Sequence, residues 1–539
     1  MNTKKWWALV LAWVGFLVDL PAAETMAGPG TGTPGQFFGV TNLYTFHLVI
    51  APDQWAAMAE PDPEKGLPPE GPNNGPGRPA GSPPPGSAGS ESGPGPDFGR
   101  GRGPGSGPGP GPGPGGPRMG GEFQKGAVTL EFQGQPFGEI RVRFKGHSSF
   151  RYAANSLKRS FKLDFNGVEK GRTFFGLTKL NLNNNAMDPS QMRETLAYHV
   201  FRAGGVPAGR TALARVYLTV PGLHDHAYAG LYTAVEQVDE RFLKDRFGSK
   251  DGLLLKPEQL AGLPDFGNDW AAYTNRVLPK TTVTAGDANR FLEFMKCIHL
   301  PDEVAFQAAI ADFVEVDEYL RFLALECLLS NLDSPLMTGH NYYLHLHPKT
   351  RKFSWLPWDL NEAFGGFGPA GSPGDQMDLS LSRAFSRADR LTGRLLLAPA
   401  IRQRYQQTVR DLLDQHFNAS RLFPLIDALA AVIRPALTND PMVSLAQFDA
   451  ALSETQPAAP ASASVGQTGL RSAGPGGPGG SGGPGGPGGP RQPRPALKAF
   501  ISQRAASVRL QLEGKADGYV PREMRPGPNR GPRPAPEKP

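Results

Sequence analysis

The chain has 539 residues, 56 Lys and Arg against 50 Asp and Glu for a net charge of +6, and 68 Gly with 55 Pro. Length alone allows two or three domains. Gly and Pro cluster at 66–121 and 456–495, however, and these stretches hold too little apolar surface to offset their ordering entropy, so both are expected to be disordered inserts in one large domain. The run from Gly474 to Pro490 has period three, but it is short, with Pro in one slot and Gly in the others, and reads better as a flexible or polyproline-like linker than as collagen. The composition excludes a sequence-specific nucleic-acid reader, since neither zinc-ligand spacing nor an RNP-like aromatic motif is present.

The chain opens with Lys4 and Lys5, then the apolar run WWALVLAWVGFLV (6–18) and the small residues Ala22 and Ala23. That is the order of a signal peptide over 1–23, and it predicts a secreted, periplasmic or cell-surface protein. The run is shorter than the roughly 20 residues of a membrane span. An uncleaved anchor stays open because no clean A-x-A site follows, and no other stretch is long and apolar enough to span a bilayer.

Residues 41–50 are rich in β-branched and aromatic side chains and predict a strand, followed by a short helix at 51–59. Two alternating runs at 127–146 predict strands around a turn at 133–137. The first Gly/Pro-rich stretch is therefore a long loop within a sheet domain and not a domain boundary. A strand at 158–165 leads through an Asn-rich loop, LNLNNNAMDPS, to a helix over 189–202. Asp188 is its expected N-cap, with Pro189 in the first helical position, and Gly204-Gly205 ends it. Strands follow at 214–220 and 229–238, then a helix at 239–248. Beyond 288 the text is mostly helical: 288–299, 302–311, 315–330, 394–417, 419–434, 443–453 and 497–513. A sheet-rich half followed by a helical half is an α+β pattern. The boundaries expected are an N-lobe at about 38–238, a C-lobe at about 239–520 and a disordered basic tail at 521–539. The tail is a solvated end or a contact for anionic surface polymers. Cys297 and Cys327 both lie in apolar helical text, and either one disulfide or two buried thiols fits them.

The chemistry concentrates in 317–365. After an apolar helix comes a polar loop with Asp333, His340 and Asn341, then a strand pair, then Trp358-Asp359-Leu360-Asn361. One Asp to handle a nucleophile, with an Asn and a second Asp to hold metal on phosphates, is the layout of phosphoryl transfer. Asp and Asn are also ordinary loop residues, so residue types alone leave both readings open. The first half supplies cations for phosphate charge: Arg143, Lys145, the Gly-Ser loop 146–149 with Ser148 and Ser149, Arg151, and Lys162 on the next strand. A basic hairpin can equally be a solvated face.

GHSSFR (146–151), FKLDF (161–165), DPSQMRETLAYHVFRAGGVPAGR (188–210), GLYTAVEQVDERFL (230–243), GLLLKP (252–257), HNYYL (340–344) and PWDLN (357–361) stand in an order that resembles the CotH-type kinases. This is an atypical protein-kinase-like family named after a spore coat protein, and the resemblance runs over about 38–520. It implies a two-lobed kinase-like fold binding ATP and Mg²⁺, with Mn²⁺ as a substitute. It implies Lys162 as the phosphate-pairing lysine, with Lys158 as fallback, and Arg143, Lys145, Ser148, Ser149 and Arg151 around the phosphates. Glu194 is a candidate to orient the lysine. Glu236 and Val238 are expected at the adenine, while Asp239 reads better as a helix N-cap. Asp333 is the expected base, and Asn341 and Asp359 the metal ligands. Asp333 and Asn341 stand eight residues apart, where the kinase pattern has about five; SPLMTG lengthens the loop.

Two functions from different classes follow. One is an exported protein kinase acting on hydroxyl side chains of secreted or surface proteins, itself included. The other is a catalytically silent surface, matrix or coat-like binding protein on the same scaffold. A metal-dependent hydrolase is disfavoured, because the sequence has no His–carboxylate metal cluster.

Overall fold

The computed structural model describes residues 29–60, 122–258, 260–385, 389–456 and 494–522. The predicted signal segment, nearly all of both Gly/Pro-rich inserts and most of the basic tail lie outside the described residues.

Helix α1 (Pro34–Phe37) leads into β1 (Leu43–Ile50) and α2 (Pro52–Ala57). After the first insert come β2 (Gly126–Phe132), β3 (Gln135–Lys145), α3 (His147–Tyr152), β4 (Ser160–Asp164) and β5 (Lys179–Asn183). Helix α4 (Arg193–Ala203) then precedes β6 (Thr211–Val220) and β7 (His224–Glu236). The seven strands close into a barrel in the order β1-β2-β3-β4-β5-β7-β6. All neighbours are antiparallel except β1 and β6. Alternation explains the barrel: Val142, Phe144, Phe161, Leu163, Leu180 and Leu182 are buried in its core with Phe37, Phe46, Phe132 and Phe174, while the residues between them face outward. Several aromatic pairs pack edge-to-face, as Phe132 and Phe174 do at 4.9 Å and 88°, each such pair adding about 0.5–1.5 kcal/mol beyond its buried area. The insert leaves and rejoins this sheet at one point, where the Gln124 N–H donates to the Glu60 carbonyl at 3.0 Å.

Helix α5 (Glu240–Phe247) follows, capped by the Asp239 carboxylate, which accepts from the Arg241 and Phe242 N–H groups. Next are β8 (Leu253–Pro257), β9 (Val277–Pro279), α6 (Ala285–Ile298), α7 (Glu303–Ala309), α8 (Val316–Leu328), β10 (Tyr342–Leu346) and β11 (Phe353–Pro357). The chain ends in α9 (Pro373–Met377), α10 (Arg390–Leu397), α11 (Pro399–Gln415), α12 (Ala419–Leu437), α13 (Leu445–Leu452) and α14 (Leu497–Leu512). The second sheet runs β11-β10-β8-β9. It and the helices share one apolar core, joined by α4 and by Leu213, Leu231 and Val235 from the outer face of the barrel. Cys297 and Cys327 are free and buried here.

Five expectations are corrected. The helix expected from 189 begins at Arg193. The Asp188 carboxylate does not cap a helix at 189; it binds Ser190 and the Arg193 N–H at 2.9 Å. The first residues of the Asn-rich text 180–190, read as loop, belong to β5, because Leu180 and Leu182 alternate into the barrel and Asn181 and Asn183 alternate out. GHSSF is not an open loop: His147–Tyr152 form a helical turn, with Gly146 at φ +77° as its N-cap. A helix expected over 394–417 is two, broken at Pro399, which starts α11.

Lys158 and Asp440 tie barrel to helices. Their side chains meet at 2.6 Å with no exposed surface, and Asp440 also accepts from the Leu231 N–H at 3.0 Å. Lys158, the fallback phosphate lysine, is thus sealed in a structural ion pair.

Candidate functional site

The β10–β11 hairpin positions two of the predicted residues. Asn341 precedes β10 and Asp359 follows β11, and Tyr342 pairs with Pro357. One step further out, the Trp358 N–H donates to the Asn341 carbonyl at 3.1 Å. Both Asn341 and Asp359 have left-handed backbone, at φ 62° and 56°, a conformation that costs a non-glycine residue about 1 kcal/mol or more and that Asn and Asp tolerate best. The Tyr198 hydroxyl from α4 accepts the Asp359 N–H at 3.2 Å.

Asp333 joins them because the extra loop residues fold back. The Ser334 carbonyl accepts from the N–H groups of Met337, Thr338 and Gly339. Gly339, at φ +72°, packs so closely on Ala261 that a Cβ would lie 1.9 Å from the Ala261 nitrogen. The turn absorbs the longer spacing and returns Asn341 to Asp333, where its Nδ2 donates to the Asp333 carbonyl at 2.9 Å and to Oδ2 at 3.1 Å. With that nitrogen committed, Asn341 keeps Oδ1 for another partner. His340 sets its Nε2 3.4 Å from Asp333 Oδ1. Burial pushes the Asp333 carboxyl up to about 7, and the charges of Glu362 and Asp359 add to the rise.

Opposite stands the outer face of the barrel. Lys145 Nζ donates to Asn183 Oδ1 at 2.6 Å, and Asn183 Nδ2 donates to both oxygens of Glu194 at 2.8 Å. Burial pulls the Lys145 ammonium below its ordinary value, opposed by the Asp359 and Glu194 carboxylates. Burial raises Glu194 to about 8, helped by Asp359 and opposed by Asn183. Lys145, Ser149, Asn183, Asp188, Glu194, Asp359 and Asn361 line one cavity of about 40 Å³, room for a cation and a water or two.

Lys162 lies one row away, paired across the strands with Arg143 and Asn181. It makes no hydrogen bond or ion pair among the described residues, and burial beside Arg143 and Lys145 drives its ammonium well below the ordinary range. Arg143 is engaged by Glu122 at 2.9 Å. Ser148 and Arg151 are exposed on α3 and do not line the cavity. The Glu236 carboxylate, 3% exposed, is held by Arg210 and by Arg246 at 3.2 Å. Val238 buries its side chain in the helical core, and its carbonyl accepts from Gln237 Nε2 at 2.9 Å.

Three neighbours escaped the sequence reading. Asn183 hid in text read as loop. Lys256 bonds Glu258 at 2.5 Å and feels the Asp359 charge; its signal was the GLLLKP text. Glu362 lies in the turn after Asp359 and had no signal. A larger depression of about 440 Å³ at the far end of the same strands, lined by Lys125, Arg141, Lys170 and Lys179, lacks Asp333, Asn341 and Asp359.

A sequence profile described as CotH kinase protein matches residues 142–456. The inner spore coat protein H of Bacillus subtilis (strain 168) is 26% identical over 287 residues, 53% of this chain and 75% of that protein. Among solved structures, the proinflammatory kinase CtkA of Helicobacter pylori aligns with 54% of this chain and 86% of its own at 11% identity and TM-score 0.23. The HipA–HipB–operator DNA complex of Shewanella oneidensis MR-1 aligns with 52% of this chain and 64% of its own at 13% identity and TM-score 0.20. At these scores the two likenesses carry no argument.

Proposed function

Because the chain belongs to the CotH kinase protein family, we propose that it is an exported ATP-dependent protein kinase with a two-lobed kinase-like fold, acting on hydroxyl side chains of secreted or surface proteins. The observation that carries the reading is the convergence of Asp333, Asn341 and Asp359 at the mouth of one hairpin, facing Lys145. The resemblance of one stretch to an inner spore coat protein supports an extracytoplasmic or coat setting.

The residues present suit both groups that the reading needs. Lys162 is half-buried and makes no hydrogen bond or ion pair among the described residues, with Glu122 acting on it through charge alone, and a phosphate anion relieves the cost of its desolvation. Asn341 Oδ1 and the Asp359 carboxylate are hard oxygen donors, suited to Mg²⁺ or Mn²⁺. A bound divalent cation would neutralise charge on the phosphates. Asp333 accepts the proton of the substrate hydroxyl; a carboxyl near 7 is matched to that task. Lys145 faces the transferred group, held in register by Asn183 and Glu194. The cavity is too small for sugar and base, which would lie outside it.

That small volume also favours a second reading, a catalytically silent coat-like binding protein. Purified protein without residues 1–23 is incubated with γ-labelled ATP and Mg²⁺ or Mn²⁺ beside Asp359→Ala. Label entering protein in the parent and not the variant establishes the kinase. Label in neither, with no metal-dependent ATP binding by calorimetry, overturns the nucleotide site in favour of the binding scaffold.

A further inference from the structure

The last two residues of the second Gly/Pro-rich stretch, Arg494 and Pro495, are ordered and lie directly against the Asp359 turn. Arg494 Nη1 donates to the Asn361 carbonyl at 2.8 Å and Nη2 to Glu362 Oε1 at 2.6 Å. Both side chains are about nine-tenths buried, at 9% and 10% exposure. The fit is made by two glycines: a Cβ on Gly366 would lie 2.9 Å from Arg494 Nη1, and one on Gly365 3.2 Å from Pro495. The next link is Arg193, the neighbour of Glu194 on α4. Its Nη1 donates to the Phe364 carbonyl at 2.9 Å and its Nη2 to the Pro495 carbonyl, while its Nε stands 3.3 Å from Asp188. The strap is pinned from the other side too, because the Ala496 N–H donates to Gln456 Oε1 at 3.0 Å and the Ala499 N–H to the Ser453 carbonyl at 3.1 Å.

We infer that Arg494 is a positioning residue for the turn that carries Asp359 and Asn361, clamping it from a strap that Arg193 couples to the Glu194 helix. This inference rests on the kinase reading of the site. The physical need is specific. The Asp333 carboxylate feels the charges of both Glu362 and Asp359, and such repulsion spreads the turn unless a cation holds it. The guanidinium binds a side-chain oxygen and a main-chain oxygen of that turn at once, a two-point grip that an ammonium cannot reproduce.

The test uses the chain without 1–23 and compares Arg494→Ala, Arg494→Lys and Glu362→Gln. Arg494→Ala is expected to lower kcat by about 100-fold, the cost of misplacing a catalytic group by about an ångström, with KM for ATP changed far less. Arg494→Lys recovers part of the loss, and adding Glu362→Gln to Arg494→Ala lowers kcat by less than the product of the single effects. Hydrogen exchange supplies a readout independent of activity: amides at 360–366 exchange faster in Arg494→Ala, while those in β3 and β4 do not. If the parent transfers no phosphate, the kinase reading fails and exchange alone decides the clamp. Parent-like kcat in Arg494→Ala with unchanged exchange at 360–366 overturns the inference, as does equal loss of exchange protection throughout the chain in both Arg494 variants.

Discussion

Asn341 and Asp359 face each other across the open end of one hairpin, and both are held with left-handed backbone, at φ 62° and 56°. Two strained residues side by side, linked through the Trp358 N–H bond to the Asn341 carbonyl, fit a site that must hold oxygen donors at fixed separation.

Asp359→Asn keeps a residue that tolerates this backbone and removes only charge. Phosphotransfer is expected to fall by about 100-fold or more, while the metal-free melting temperature stays level or rises, because one repelling carboxylate is gone. Asp359→Ala loses as much activity and is also less stable by about 1 kcal/mol. Label transfer and thermal unfolding on the two variants check this.

Lys145→Met and Lys162→Met separate two roles. Lys145 reaches Asn183 and the Asp359 charge, so its loss is expected mainly in kcat, by about 100-fold. Lys162 lies a row away, so its loss is expected mainly in KM for ATP, by about tenfold. Steady-state kinetics with varied ATP decide, and the reverse pattern would place Lys162, not Lys145, at the transferred group.

The Asp333 carboxyl, raised to about 7, accepts a proton only when ionised. Activity therefore climbs with pH through about 7 and levels off above it. Glu362 is the largest charge raising that value, so Glu362→Gln moves the rising limb to lower pH. A pH profile of kcat/KM on both proteins measures the shift.

Lys158 and Asp440 form an ion pair without solvent contact. Lys158→Met leaves the Asp440 charge buried and is expected to cost about 3–5 kcal/mol. The double variant Lys158→Met with Asp440→Leu costs less than Lys158→Met alone. Denaturant midpoints of the set give the coupling.

Glu326 is fully buried, bonded by Asn331 Nδ2 at 2.7 Å, and burial raises its carboxyl to about 8. Its folded value lies above the unfolded one near 4.5. Below about 4.5 both states hold the proton and Glu326 contributes nothing. Between about 4.5 and 8 only the folded state holds it, so stability falls as pH rises, and the loss is complete above about 8. Glu326→Gln is therefore expected to gain on the order of a few kcal/mol relative to the parent at pH 8.5, and little at pH 4.5. Urea unfolding at the two pH values checks the sign.

Local text determined a good deal. Period-two alternation marked β2 to β4, because a barrel strand buries every second side chain whatever its partners, and β-branched and aromatic content marked β1. Asp239 announced its cap, since a cap acts on its own helix. Asp333, Asn341 and Asp359 were legible because a turn and a hairpin, both short-range, bring them together. Tertiary structure decided the rest. Which of Lys145, Lys158 and Lys162 reaches the acidic turn depends on strand register and, for Lys158, on Asp440, 282 residues away in sequence. Glu236 is tied up by Arg210 and Arg246, and Arg494 met Glu362 only because the end of a long Gly/Pro-rich stretch returns to the site. Buried charge must find an opposite charge, and the sequence names the charges without saying which of them the packing will pair.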